Sequence, residues 1–184
     1  MAEGDVQTTA KPTFSADAVH LLRTTQTVQY QLSQMADQKA SMLLGITFVI
    51  FTISVGQARG PGGPPLPLLI LGGAAFLAAT LTVMAVLPAV KGPPRAAAFL
   101  GGNILFFGAF TQLGEDEFVD TLLGRLGDAP SVYALFAHDI YQNGRVLARK
   151  KYRLLGWAYR VLLAGLFASL AAFVAPYLAH LVAR

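Results

Sequence analysis

The sequence predicts an all-α membrane protein with three transmembrane helices, N-terminus inside and C-terminus outside. A cytosolic N-terminal helix precedes the first span, and a small helical cytosolic region separates the second span from the third. Three observations predict this. Only 13% of the 184 residues are charged, where an ordinary soluble domain carries about 25%. The apolar residues, 54% of the chain, are gathered into uncharged blocks that match the roughly 20 residues a spanning helix needs. The basic residues flank those blocks in an order that favours one topology. Such a charge deficit argues against a free soluble enzyme.

Residues 1–15 are polar and small and read as a disordered tail. The first apolar run starts too late for a cleavable leader, so the first span is expected to act as the insertion signal and keep the chain in a cytoplasmic-type membrane. Ala16 to Lys39 reads as the cytosolic helix, with Ser15 as N-cap and Asp17 in the first turn, where a negative charge suits the helix dipole. Leu21, Val28, Met35 and Met42 recur every seven residues with Leu32 beside them, and most of the rest is Gln and Thr. That narrow stripe suits a helix–helix seam, within the chain or between copies. No breaker separates this helix from the first span at 40–58, so the two form one rod of about 40 residues, ~60 Å long. Such a rod is able to carry a cytosolic event into the membrane.

Gly and Pro at 60–65 form a turn, and Leu66 to Val90, almost wholly Leu, Ala, Val and Ile, is the second span. Residues 91–153 form the helical cytosolic region. Gly-Pro-Pro at 92–94, Gly124, Gly127 and Pro130 divide it into three short helical pieces. Glu115, Asp116 and Glu117 start one of them, matching the positive end of a helix dipole. Ser131 to Tyr152 has apolar residues at helical spacing and leads into Arg149, Lys150, Lys151 and Arg153, a cluster suited to topological anchoring and to anionic lipid. Trp157, Tyr159 and Arg160 then form a headgroup-level collar for the third span at 157–182.

A further uncharged stretch, Ala96 to Gly114, is long enough to cross but contains Gly101, Gly102, Asn103, Gly108, Thr111 and Gln112. Three spans place Lys11, Arg23, Lys39, Lys91, Arg95 and Arg125 inside, together with Arg145, Arg149, Lys150, Lys151 and Arg153, and leave only Arg59 and Arg184 outside. A fourth would nearly balance the two faces, against the positive-inside rule.

With no cysteine in the chain, disulfides, thiolate metal sites and Cys nucleophiles are excluded. His138 and Asp139 form an HD dipeptide, one part of the ligand set of metal-dependent phosphohydrolases. The remaining histidines, His20 and His180, do not complete it. No His-Glu-x-x-His, Walker A loop, GxGxxG or GxSxG occurs. An enzyme is therefore not expected, nor a resident cofactor or metal. The spans hold no buried acid, which argues against a transporter. Gly165, Ser169 and Ala172 in the third span, and Ala75 with Ala79 in the second, allow close approach between copies, so a homo-oligomer is expected.

Three clusters recur together: Ala36-Asp37-Gln38-Lys39-Ala40-Ser41-Met42-Leu43-Leu44, Asn103-Ile104-Leu105-Phe106-Phe107-Gly108, and His138-Asp139-Ile140-Tyr141-Gln142-Asn143 followed by Lys151-Tyr152. In order and spacing they resemble the Pycsar effector transmembrane family, PycTM, from about Leu21 to the third span. The resemblance implies an antiphage abortive-infection effector of the bacterial inner membrane. A neighbouring pyrimidine cyclase would make cCMP or cUMP, and the effector would respond by impairing that membrane. A cyclic nucleotide needs a cation for its phosphate, an aromatic surface for its base and amide or carboxylate groups for its polar edges. Candidates are Arg145, Arg149 and Lys151 for phosphate, Phe106, Phe107 and Tyr141 for stacking, and Asn103, His138, Asp139 and Asn143 for polar contacts. The expected partners are the bilayer, the nucleotide and further copies, with no nucleic-acid polymer. Two other readings stand beside this one: a constitutive membrane scaffold or channel accessory subunit that binds a protein partner, and a membrane-bound hydrolase using His138 and Asp139.

Overall fold

In the computed structural model, which describes residues 14–58, 63–87 and 103–183, the first helix starts next to Ser15. The Ser15 hydroxyl accepts from the Asp17 N–H at 3.2 Å, and α1 runs from Ala18–Gln57 as one 40-residue helix. The unbroken rod expected from the absence of any Gly or Pro between Ala18 and Leu44 is present. Several sequence expectations lie outside the described residues: the tail over 1–13, residues 60–62 of the 60–65 turn, the end of the second span at 88–90, the Gly-Pro-Pro at 92–94, and residues 96–102 of the uncharged stretch. Of the turn, residues 63–65 are described, and the Gly63 φ of +83° is a conformation that glycine adopts without a Cβ penalty.

Helix α2 spans Leu66–Val86 with Pro67 in its first turn. The next pieces are short: α3 Phe107–Phe110, then α4 Glu115–Arg125 with its three acids in the first turn. Glu117 Oε2 accepts from the Gly114 N–H at 3.4 Å, tying down that helix start. Helix α5, Ala129–Val146, begins where Asp128 accepts from Ser131 through both its N–H and its hydroxyl, at 3.3 and 2.8 Å, with Pro130 early in the helix. It does not end before the third span. A π-helical turn, Leu147–Tyr152, joins it to α6, Arg153–Val182, so helix continues from Ala129 to Val182. All described elements are helical, and α1, α2 and the run from Ala129 to Val182 are long and apolar enough to cross a membrane.

The chain divides into two compact units, Met1–Val28 with Lys91–Gln142 and Gln29–Val90 with Asn143–Arg184. The divisions fall inside α1 and inside α5. In the second unit the contact surfaces are built from small residues. Ala40 and Leu43 of α1 meet Ala78 of α2 and Leu155 and Ala158 of α6 at the buried centre, and Ala36 of α1 and Ala75 of α2 are buried as well. Helices in an apolar medium gain little from burying large side chains, which lipid covers equally well, and gain from close backbone approach. Gly165 shows how close: a Cβ built on it would overlap the Cβ of Ala74. The buried hydroxyls of Thr47 and Thr82 return to the carbonyls of Leu43 and Ala78 at 2.9 and 2.7 Å, so their burial leaves no donor open. Ser169 Oγ donates across to the Pro67 carbonyl at 2.8 Å.

Of the two partners expected for the heptad stripe of Leu21, Val28, Met35 and Met42, none within the chain is present among the described residues: all four side chains are exposed, at 68, 46, 48 and 58%. The face that α1 buries is the neighbouring one, through Ala36, Ala40, Leu43, Thr47 and Ser54.

Candidate functional site

The sequence-derived site residues divide between the two units. In the first unit lie Asn103, Phe106, Phe107, His138, Asp139 and Tyr141, and in the second Asn143, Arg145, Arg149 and Lys151.

In the first unit the structure joins the second and third sequence clusters through a buried polar network. Asn103, fully buried at the start of the segment before α3, accepts the Leu105 N–H on its Oδ1 at 2.9 Å, a local turn that asparagine favours. Its amide nitrogen donates to Asp139 Oδ1 at 3.1 Å and to Gln142 Oε1 at 3.3 Å. The other carboxylate oxygen of Asp139 accepts from Gln26 Nε2 of α1 at 2.8 Å. Asp139 is 9% exposed, and a buried carboxylate is tolerated only with such donors. Of this network the sequence reading named Asn103 and Asp139 and missed Gln26 and Gln142. Gln142 lay inside the third quoted cluster, whereas nothing local marked Gln26 among the other glutamines of its helix. His138 and Tyr141 are exposed, Phe106 is half-buried, and Phe107 is exposed with its ring edge-on to Phe110 at 5.7 Å. Phe14 lies against Tyr133 at 4.2 Å between ring centroids.

In the second unit the basic cluster separates into two roles. Arg145, Arg149, Lys150, Arg153 and Trp157 line an open groove of about 530 Å³. Four of them recur every fourth residue. In an α-helix a four-residue step overshoots the 3.6-residue turn and drifts around the axis. The wider π-helical turn at Leu147–Tyr152 absorbs that drift and keeps the row on one face. Trp157 also carries the Arg160 guanidinium over its ring, 5.4 Å from the centroid. Lys150 Nζ donates to the Leu87 carbonyl beyond the end of α2 at 2.6 Å.

Lys151 stands elsewhere. Its ammonium donates to both Asp37 oxygens and to Ser33 Oγ of α1, each at 2.8 Å. Tyr152 and Tyr159 add hydroxyl bonds to the Leu32 and Lys39 carbonyls at 3.3 and 3.4 Å. Of the three expected phosphate ligands, then, Arg145 and Arg149 share the groove and Lys151 is committed to α1. Lys150, Arg153 and Trp157 join the groove; the sequence reading assigned them only to lipid anchoring and the headgroup collar. The pair side chains of Lys151 and Asp37 are 21 and 44% exposed, so the contact is worth no more than about 1 kcal/mol. Lys151→Met is expected to lower the thermal midpoint of the detergent-solubilised chain by at most a few degrees, and exchanging the charges with Asp37→Lys and Lys151→Asp together should restore most of the loss.

Among the described residues no group of His, Asp or Glu could hold a metal ion. The long apolar helices, with most of their large side chains facing outward, define a helical membrane protein, and the helix that continues into the third of them carries a basic groove. The model of the Pycsar effector protein domain, PycTM, matches residues 20–178, and the chain belongs to that family. No curated protein and no solved structure matches it. Membership makes it a membrane effector of antiphage defence, in a family not known for enzymes.

Proposed function

We propose that this protein is a multi-pass effector of the bacterial inner membrane that responds to cCMP or cUMP from a partner cyclase by impairing the membrane, ending the infected cell. The observation that carries the ligand reading is the groove of Arg145, Arg149 and Arg153 beside Trp157. A cyclic nucleotide offers one phosphodiester charge and one flat base. Guanidinium groups bind such a phosphate through paired N–H donors, and an indole ring stacks on a pyrimidine. The orientation that puts this groove on the cytosolic side, N-terminus inside and C-terminus outside, is the one the basic residues favour. Helix α1 takes part in both units, with Gln26 in the first and Leu43 in the second. A nucleotide that binds one arrangement of α1 and α6 more tightly than another shifts the population toward it, toward an oligomer or a rearranged bundle that opens or thins the bilayer.

The test is calorimetry of the full chain in nanodiscs with cCMP and cUMP, paired with release of a trapped dye from proteoliposomes. Binding and release are expected with at least one of the two. Arg149→Ala removes a charge-assisted contact worth about 1.5–3 kcal/mol and is expected to weaken binding roughly ten- to a hundredfold. No dye release with either nucleotide, from oriented and folded protein, sinks the proposal. Absence of any nucleotide binding favours the constitutive scaffold, which needs none.

A further inference from the structure

The exposed stripe on α1 is longer than the sequence reading made it. Leu21, Val28, Met35, Met42 and Val49 recur at intervals of seven, all between 46 and 68% exposed. A second row four residues on includes Leu32, Ile46 and Ile53, also exposed. From Met42 onward the stripe lies in the apolar block, where lipid covers it. From Leu21 to Met35 it lies on a segment rich in Gln and Thr, too polar for the hydrocarbon, and no other described residue covers it.

We propose that a second copy of this chain docks there, α1 against α1, in parallel and in register. A period of seven, held for four repeats, follows the seam of a left-handed two-helix coil, whereas a face packed on a straight helix has no need to keep it. The stripe passes without interruption from a watery segment into a membrane segment. Its partner therefore needs apolar side chains at matching heights in both media, and the α1 of another copy has them. Insertion gives every copy the same orientation, which makes the pairing parallel. The flank of the stripe opposite the buried face, Thr24, Gln31 and Gln38, carries no charge, so nothing there selects a charged foreign partner or repels a like one. One residue in the seam is charged, Lys39, at the edge of the apolar block. A single such residue fixes register at a cost in strength, and its long side chain reaches the headgroups. This pairing does not depend on the nucleotide reading above.

The chain contains no cysteine, so single-cysteine variants report one position each. Val28→Cys and Met35→Cys lie in the seam; Tyr30→Cys and Arg23→Cys lie on the far side of the same helix, also exposed. Oxidation in native membranes is expected to give a covalent dimer of the chain at positions 28 and 35, at least tenfold above that at 23 and 30. Met35→Glu introduced beside Val28→Cys is expected to cut its yield about tenfold, and Lys39→Met to raise it. Equal yields on the two sides overturn the proposal. So does a crosslink of 28 or 35 to a protein of different mass, or no crosslink there while a maleimide labels the inserted chain at both positions. A yield at Val28→Cys that ignores Met35→Glu overturns it as well.

Discussion

Gly165→Leu is expected to part α2 from α6 and to lower the thermal midpoint of the solubilised chain by about 5 to 10 °C. Gly165 is buried, and even a Cβ there would overlap that of Ala74, with the Ala74 Cα at 3.6 Å and the Ile70 carbonyl oxygen at 3.9 Å. These obstacles are backbone and a first side-chain carbon, which cannot rotate away as the tip of a lysine does. The helices must therefore move apart. Overpacking a close contact costs about 1–3 kcal/mol, and separation also stretches the bond from Ser169 to the Pro67 carbonyl, now 2.8 Å, one turn along α6. A double-mutant cycle isolates the cause. Gly165→Ala alone is destabilising, and combining it with Ala74→Gly should recover at least about 1 kcal/mol, because the two positions share one space. If Gly165→Leu leaves the midpoint unchanged, the close approach of these helices is not what holds the second unit together.

What the sequence allowed to be read follows the range of the interaction concerned. The apolar blocks of α1, α2 and α6 were readable because composition alone decides whether about 20 residues suit hydrocarbon. Continuity of α1 was readable because no Gly or Pro interrupts its polar half. Which face of α1 is buried was not, since size misleads in a membrane protein: Leu21, Val28 and Met35 look like core, and Ala36, Ala40 and Thr47 are the core. The same holds for the site. Arg145 and Arg149 could be chosen for their chemistry, but the π-helical turn that aligns them with Arg153 and Trp157 and leaves Lys151 to Asp37 has no local signature. Gln26 meets Asp139 across 113 residues of sequence, a distance over which a polar pattern on one helix gives no warning of its partner.

Asp139→Ala is expected to be the most damaging single change in the first unit, and its comparison with His138→Ala separates a structural role for the HD pair from a chemical one. Asp139 accepts from Gln26 Nε2 and from Asn103 Nδ2, at 2.8 and 3.1 Å. Alanine leaves both donors without that acceptor. An orphaned buried donor costs about 1–3 kcal/mol; Gln26 is only half-buried, so the two losses together amount to about that much before any cavity is counted. Asn103 keeps its bond to Gln142 Oε1 at 3.3 Å, whereas for Gln26 Nε2 the carboxylate is a partner contributed by another helix. The expected signature is faster hydrogen exchange in the first turns of α1 and in α5, with little change in α2. Asp139→Asn retains one acceptor oxygen and should fall between the two. His138 is exposed, and its replacement by alanine should change stability by no more than about 0.5 kcal/mol. A hydrolase built on this dipeptide predicts the reverse emphasis: nucleotide turnover by the native chain, abolished by His138→Ala with folding intact. Hydrogen exchange that is unaltered by Asp139→Ala would show that the carboxylate does not hold α1 to α5, however well its donors are placed.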